Sequence, residues 1–127
     1  MILALGLVDE PLPPYLTFKS NNPFTISVTN PGWDGKIYYS LDANDWNEWN
    51  GSAISANAIY VRGEGNTKVT GSATPSNKWI LTGSNISCTG NIETLLDYTA
   101  VSLGEHPAMA DYCYSHMFFE CTSLKTA

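Results

Sequence analysis

Strict alternation of apolar and polar residues around the centre of the chain is the feature that most constrains the fold. Ile37, Tyr39 and Leu41 alternate with polar residues, and the segment 59–62 repeats this rhythm. Because successive side chains of a β-strand point to opposite faces of its sheet, the pattern is typical of half-buried strands. An acidic connection that carries tryptophan joins the two segments. Residues 36–62 therefore predict two paired strands, joined by a solvated connection, at the centre of the fold.

Similar alternating segments lie on both sides of this centre. Segments 16–19 and 24–28 predict two successive strands with a four-residue turn between them, and segments 78–82 and 85–89 predict two more. A short strand is also expected at 68–70. Turns rich in Gly, Pro and Asn separate these segments, and helical periodicity is almost absent from this part of the chain. We therefore expect a mainly β fold, an Ig-like antiparallel β-sandwich.

The periodicity becomes helical after Gly90. Three apolar residues follow at helical spacing, and Asn91 is the expected N-cap of this first helix. Pro107 suits the first position of a second helix, whose apolar stripe spans 109–117. We therefore expect a short helical region to follow the sandwich.

This change predicts three parts in the chain. Residues 1–14 are an N-terminal arm and Pro-rich linker, residues 15–83 the Ig-like β-sandwich, and residues 84–127 a smaller α/β part. The arm opens with a short apolar run that lacks a positive charge and a cleavage site, so we expect a strand or docking arm instead of a signal peptide. The run is also too short to span a bilayer, and no membrane insertion is expected.

Charge and composition exclude several classes of partner. The chain of 127 residues has a net charge of −6 and only six Lys and Arg residues, so it lacks the basic surface that nucleic acid requires. Hydrophobic residues make up 43% and charged residues 14%, which is typical of a packed domain and not of a disordered chain. The three cysteines are too few for a disulfide framework and are expected as buried thiols.

The candidate metal sites do not match known ligand spacings. In the acidic connection, an EF-hand that starts at Asp42 would place Trp46 and Ala53 at ligand positions, so calcium is only a minor alternative there. The C-terminal C-x2-H-x4-C spacing fits no usual zinc site, and no third group orients Cys113 and His116 for catalysis. We therefore expect no metal, no cofactor and no catalytic residue, and a protein that is not an enzyme.

Aromatic residues around the central connection form the candidate ligand-binding face. Its members are Trp33, Trp46, Trp49 and Tyr38, together with Tyr60, and their flat rings with polar edges suit a sugar. The alternative is that Trp33 and one tryptophan of the connection pack over the open end of the sandwich. If the rings do face a ligand, the chain is a carbohydrate-binding module and its partner is a glycan.

The segment 110–127 carries an ordered set of aromatic, Met-Phe and Cys-Thr-Ser-Leu residues. Its members are Tyr112, Cys113, Tyr114, Met117, Phe118, Cys121, Thr122, Ser123 and Leu124. The set resembles one repeat of the BspA-like (Treponema-type) leucine-rich repeat family, with Glu120 at a position that is commonly glycine. Residues 82–98 resemble the cap that precedes such an array. The resemblance implies that residues 84–127 form a cap and a first repeat, which we expect to be truncated.

A single repeat of this kind has an apolar face that it cannot cover alone, because each repeat buries that face against the next one. Met117, Phe118 and Leu124 are therefore the expected partner interface. We expect a protein partner or self-association at this end of the molecule.

The first part of the chain carries a second, looser resemblance. Pro31-Gly32-Trp33, then Tyr39-Ser40-Leu41-Asp42, then Ile59-Tyr60-Val61-Arg62-Gly63, resembles the small β-domains that precede such repeats in bacterial surface proteins and in tail- or head-associated phage virion proteins. This resemblance implies a structural or adhesive module that mediates protein–protein assembly or host attachment. The expected location is a virion, a cell surface or the extracellular space.

Overall fold

The computed structural model describes residues 14–28, 31–70, 78–107, 109, 117 and 124–126. Residues 124–126 are described by their backbone alone. Seven strands and one helix are present in this part of the chain. They are β1 (Leu16–Val28), β2 (Lys36–Ser40), β3 (Asn47–Trp49), β4 (Ile54–Glu64), β5 (Trp79–Thr82), β6 (Ile86–Thr89), α1 (Thr94–Ser102) and β7 (Leu124–Thr126).

All seven strands belong to one sheet. Its order is β3-β2-β4-β1-β6-β7, and β5 also pairs with β1. Six strands pair antiparallel, while β7 pairs parallel to β6. The predicted mainly β, antiparallel fold is confirmed at this level.

The predicted central pair of strands is confirmed as well. β2 and β4 are antiparallel, with Tyr39 opposite Val61 and Ile37 opposite Gly63. The connection between them contains a third strand that the sequence did not predict. This strand, β3, places Trp49 opposite Ile37 on the other side of β2.

The prediction of two strands with a turn between segments 16–19 and 24–28 is wrong, because β1 is one continuous strand. It pairs with β4 on both sides of an irregularity between Lys19 and Phe24. Four residues of β1 face a single residue of β4 there, since Lys19 is opposite Ala58 and Phe24 is opposite Ala56. The turn-like residues are therefore a bulge, which bends a strand without reversing it.

The opposite edge of β1 bends at the same place. β6 pairs with the first half of β1 and β5 with its second half, so these two strands run along β1 one after the other. Gly83 lies between them, where a Cβ atom would be 2.7 Å from the Cβ atom of Phe24. The close approach of the two chains at the bend therefore requires glycine at this position.

The bend folds the sheet back over its own inner face. Trp79 pairs with Val28, ten positions along β1 from Phe18, which corresponds to about 33 Å in a straight strand. Yet the ring centroids of Phe18 and Trp79 are only 6.2 Å apart. The two halves of the sheet therefore enclose a common core. Its largest fully buried residues include Phe18, Phe24, Ile26, Ile37, Ile59, Trp79, Ile86, Leu95 and Leu96.

Helix α1, whose backbone is non-helical at Asp97, packs against β4 and contributes Leu95 and Leu96 to this core. Gly63 makes the contact possible, because a Cβ atom at this position would lie 1.7 Å from the carbonyl oxygen of Leu95. The N-cap of the helix is Glu93, so the prediction of Asn91 is wrong by two residues. Asn91 instead forms the preceding turn, in which its Oδ1 atom accepts a hydrogen bond from Glu93 N at 3.0 Å.

The region after residue 83 shares the core of the sheet. β6 pairs with β1, and Leu95 and Leu96 belong to the same buried cluster as Phe18. The division of the chain into parts at residue 83 stays a prediction. The strand expected at 68–70 is not present, although Val69 and Thr70 are buried.

The second predicted helix, from Pro107 onward, lies largely outside the described residues. Of its expected apolar stripe, Met109 is 49% exposed and Met117 is 3% exposed. Among the helices of the described residues, none has the length and apolar character needed to cross a bilayer.

Candidate functional site

The guanidinium group of Arg62 lies between two aromatic rings on the outer face of the sheet. Its Cζ atom is 4.1 Å from the centroid of the Trp46 ring and 4.0 Å from the centroid of the Tyr98 ring. Both distances are within the roughly 6 Å at which the face of an aromatic ring attracts a cation. We call Trp46, Arg62 and Tyr98 the Arg62 stack.

The alternation of β4 determines the direction in which Arg62 points. Val61 is buried in the core, so the next residue faces the opposite side of the sheet. Arg62 is paired with Tyr38 of β2, which lies between the inward-facing Ile37 and Tyr39. Tyr38 and Arg62 are therefore neighbours on the outer face.

Two further tyrosines extend this aromatic surface. The ring centroid of Tyr15 is 5.7 Å from that of Trp46 and 5.5 Å from that of Tyr60. Tyr38 completes it, and its hydroxyl group donates to Glu64 Oε1 at 3.4 Å. We call the Arg62 stack together with Tyr15, Tyr38 and Tyr60 the outer aromatic face. All six residues are half-buried.

The acidic connection is folded so that Trp46 reaches the outer face. Asp42 Oδ1 accepts hydrogen bonds at 2.9 Å from Ser40 Oγ, Asn44 N and Asp45 N. Hydrogen bonds from the backbone of Asp45 and Asn44, and from Ser40, lower the pKa of the Asp42 carboxyl from its usual value. This carboxylate therefore stabilises the turn that precedes Trp46. Calcium binding, the minor alternative for the acidic connection, would give the carboxylate a different role.

Arg62 has an incomplete set of polar partners. Its Nε atom is buried and has no hydrogen-bond partner, and within the described ranges no carboxylate lies at ion-pair distance from the guanidinium. The two terminal nitrogens are not buried in this way. Since a guanidinium carries five N–H donors, Arg62 has donors to offer to a ligand that approaches these nitrogens.

The predicted ligand-binding residues separate into two groups. Trp49 is buried in the core and the partly buried Trp33 packs against it, with their ring centroids 5.7 Å apart and Trp49 5.3 Å from Trp79. Trp49 is 3% exposed, and its Nε1 atom donates to the carbonyl oxygen of Ser52 at 2.8 Å. These contacts agree with the packing alternative for Trp33 and Trp49.

The other three, Trp46, Tyr38 and Tyr60, belong to the outer aromatic face. The remaining members of this face, Tyr15, Arg62 and Tyr98, were not predicted from the sequence. The alternation of β4 already placed Arg62 on the polar parity, so its outward direction was accessible from the sequence. Tyr15 and Tyr98 were not, because their positions depend on strand register and on the packing of α1.

The predicted partner interface is described only in part. Met117 is buried, and its carbonyl oxygen accepts a hydrogen bond from Trp79 N at 2.6 Å. Its side chain is therefore not presented to a partner in this structure. Phe118 lies outside the described residues, and Leu124 is described as a backbone position in β7.

The described cysteine and histidine side chains, Cys88 and His106, have neighbours typical of structural residues. Burial raises the pKa of the Cys88 thiol to about 12, which keeps it protonated and unreactive. His106 Nδ1 is 2.8 Å from Glu93 Oε1. Cys113, His116 and Cys121 lie outside the described residues. Within these residues, no group of three His, Cys, Asp or Glu side chains is arranged to hold a metal ion.

The outer aromatic face is thus a half-buried aromatic surface that holds the one arginine of an acidic chain. No protein-family model, no curated protein and no solved structure matches this chain.

Proposed function

We propose that this chain is a non-enzymatic structural or adhesive module of a phage virion or bacterial surface protein, which mediates protein–protein assembly or host attachment. The observation that carries the proposal is the outer aromatic face, in which the Arg62 stack lies beside Tyr15, Tyr38 and Tyr60. Trp, Tyr and Arg are the residue types most enriched among those that dominate binding energies at interfaces.

The position of this face in the sheet supports a binding role. Arg62 and Tyr60 are on β4, which is paired on one side with β1 and on the other with β2. Strands that are paired on both sides are rigid, so the aromatic side chains lose little conformational freedom when a partner binds. Rigid support of this kind favours affinity, because ordering an interface opposes association.

The hydrogen bonding of Asp34 and Asp97 argues against a general-acid role for these two carboxylates. Burial raises the pKa of Asp34 and of Asp97, but hydrogen bonds from Thr67 and Thr99 outweigh burial and lower each pKa from its usual value. A general acid that works near neutral pH needs the opposite shift. These carboxylates act as acceptors that hold turns.

We further infer that residues 15–83 form an Ig-like β-sandwich and that residues 84–127 form a leucine-rich-repeat cap with a first repeat. The contact between Phe18 and Trp79 across the folded sheet supports the first inference. The second is supported by the parallel pairing of β7 with β6, with α1 in the connection between them. Parallel pairing needs a long crossover, which a helix usually supplies, and stacked repeats use this geometry.

The alternative function is a carbohydrate-binding module. One observation favours it: Trp46 and Tyr38, two of the residues predicted to contact a ligand, lie on the same outer face. The two functions differ in solution behaviour. An assembly module should self-associate or need a protein partner, whereas a carbohydrate-binding module should be a monomer whose melting temperature rises when a glycan is added.

An attachment assay tests the proposal directly. Beads coated with the chain are incubated with candidate host cells, and Trp46→Ala is compared with Leu103→Ala. Leu103 is a matched control because it is an apolar residue, 76% exposed, outside the outer aromatic face. We expect Trp46→Ala to lose most of the attachment and Leu103→Ala to keep it. Equal attachment by both variants would remove the outer aromatic face from the proposed function.

A further inference from the structure

We propose that the Arg62 stack binds a sugar that carries one carboxylate, with the carboxylate on the terminal nitrogens of Arg62 and the sugar ring against the neighbouring aromatic side chains. This inference rests on the proposed binding role of the outer aromatic face and names the chemistry of its ligand. It is carried by the charge and the geometry of Arg62.

Arg62 makes no ion pair with the described carboxylates, although Glu64 and Glu48 lie near Tyr38 on the same face of the sheet. The sequence has twelve Asp and Glu residues against six Lys and Arg, and Arg62 is its only arginine. Even so, in the part of the chain that the structure describes, no carboxylate pairs with this guanidinium. The guanidinium therefore has N–H donors that no described carboxylate uses and that an external carboxylate can accept from.

The geometry of the stack defines how that anion approaches. The rings of Trp46 and Tyr98 lie about 4 Å from Cζ, so aromatic surface occupies the positions where ligands could stack on the guanidinium. The N–H donors lie in the plane of the group, and burial of Nε leaves the terminal nitrogens as the accessible ones. A planar carboxylate with two oxygens matches this fork, and such bidentate pairs are strong and directional.

The sheet argues for a sugar and against a peptide as the carrier of the carboxylate. At Tyr60 and Val61, next to Arg62, β4 is paired with both β1 and β2, so its backbone there has no free edge to which an extended peptide could add as a strand. The ligand must therefore be recognised by side chains alone. Trp46 offers a flat apolar surface and Tyr38 and Tyr60 offer hydroxyl groups, a combination that suits the apolar faces and hydroxyl groups of a sugar ring.

The net charge limits how many negative charges the ligand carries near the stack. At −6 the chain repels an anion at long range, and several carboxylates close together would add to this repulsion. One carboxylate on an otherwise neutral sugar gains the contact with Arg62 with the least repulsion. A methyl glycoside of glucuronic acid is the smallest probe with this chemistry.

The test is an NMR titration of the full chain with methyl β-D-glucuronide and methyl β-D-glucoside, two probes that differ only in the carboxylate. We expect the glucuronide to shift the Arg62 Nε–H and Trp46 indole N–H signals in a saturable manner. Its affinity should be at least tenfold higher than that of the glucoside. Equal affinities, or the absence of any saturable shift, would overturn the inference even if cell attachment still depends on Trp46.

Two variants distinguish the bidentate geometry of the Arg62 guanidinium from the effect of positive charge alone. Arg62→Lys keeps the charge without the planar fork, and we expect the glucuronide affinity to fall at least fivefold. Lys19→Gln removes one exposed positive charge four residues after Tyr15 in the chain, and we expect a change of less than twofold. Unchanged affinity in Arg62→Lys contradicts the proposal. If this variant does not fold, the titration of the unmodified chain decides the question.

A third probe, N-acetyl-glutamate amide, presents the same carboxylate on a peptide unit. We expect it to bind at least fivefold more weakly than the glucuronide, because it has no ring to lie against the aromatic side chains. Equal or tighter binding of this probe would assign the stack to a protein carboxylate, and the sugar inference would be rejected while the attachment role remained.

Discussion

The side-chain amide of Asn66 donates a hydrogen bond to the carbonyl oxygen of Leu95 at 3.1 Å and so joins the end of β4 to helix α1. The same nitrogen donates to the carbonyl oxygen of Lys36 at 2.7 Å, and Asn66 Oδ1 accepts from Gly35 N at 2.6 Å. One buried side chain therefore connects β4, β2 and the helix.

Replacing Asn66 should destabilise the fold strongly. Asn66→Ala leaves one N–H and two carbonyl oxygens without these partners in a site that is 3% exposed. We expect the free energy of unfolding to fall by about 2–4 kcal/mol, measured by urea denaturation. Asn57→Ala is the control, since Asn57 is exposed and makes a single hydrogen bond of 3.5 Å to Ser20, and it should change stability by less than about 0.5 kcal/mol. Similar losses in both variants would contradict the role of Asn66.

Gly63→Ala tests the approach of α1 to β4. The added methyl group would overlap the carbonyl oxygen of Leu95, so the helix must move away from the sheet. We expect a loss of about 3 kcal/mol or more in the free energy of unfolding, together with reduced helical circular dichroism.

Gly104→Ala provides the matched control for this substitution. Gly104 has a φ angle of +80° and nothing within 4 Å of an added Cβ atom, so only the backbone conformation opposes alanine there. The expected loss is about 1–2 kcal/mol. If Gly104→Ala is at least as destabilising as Gly63→Ala, close packing is not the reason for glycine at position 63.

The stability of the protein should fall with decreasing pH partly through Asp34. Its carboxylate accepts hydrogen bonds from Thr67 N at 2.8 Å and from Thr67 Oγ1 at 2.6 Å. Burial acts in the opposite direction, but these bonds hold the pKa of Asp34 below 3.8 in the folded state. The unfolded chain therefore binds the proton more readily, and the stabilisation is present above pH 3.8 and is lost as the pH falls through the lowered pKa.

Denaturation midpoints at several pH values between 6 and 2.5 measure this contribution, with all mutants compared at the same ionic strength. Asp34→Asn removes the charge, so its stability deficit relative to the wild type should narrow as the pH falls. Thr67→Val removes only one of the two hydrogen bonds. Its stability deficit relative to the wild type should therefore change less with falling pH than the deficit of Asp34→Asn. A deficit of constant size for Asp34→Asn across this range would show that the carboxylate does not contribute in this way.

Cys88 should be protected from alkylation in the folded protein. Burial raises the pKa of its thiol to about 12, so almost no thiolate is present at pH 8. We expect iodoacetamide to leave Cys88 unmodified in native buffer and to modify it fully in denaturant, as measured by peptide mass spectrometry. Rapid native alkylation of Cys88 would show that the core opens around β6.

β2 and β4 were predicted correctly from the alternation of apolar and polar residues. Each strand buries one face, and burial of one face gives a two-residue period in the sequence. The same signal failed for β1. Asn22 and Pro23 are residue types that favour turns. β4 nevertheless pairs with the segments on both sides of them, so the strand continues in the same direction. Whether a polar, turn-like segment reverses the chain or bulges depends on a partner strand, which is not local information.

The aromatic residues show a similar limit. Trp46 and Trp49 are three residues apart in the acidic connection, yet one reaches the outer face and the other is buried opposite Ile37. β3 is only three residues long, too short for a period to appear in the sequence. Residue type identified the candidates, and strand pairing separated the packing residues from the exposed ones.

β1 pairs with two strands that follow it in the chain, β4 and β6, and this order matters while the protein is being translated. Thr17 is opposite Tyr60 on one side and opposite Thr89 on the other, so the second side is covered only after 72 more residues have been made. At about 5–20 residues per second, a ribosome needs roughly 4–14 s for that length. During this interval one edge of the strand is open to other nascent chains, and the exposed Lys19 supplies the charge that discourages edge-to-edge pairing.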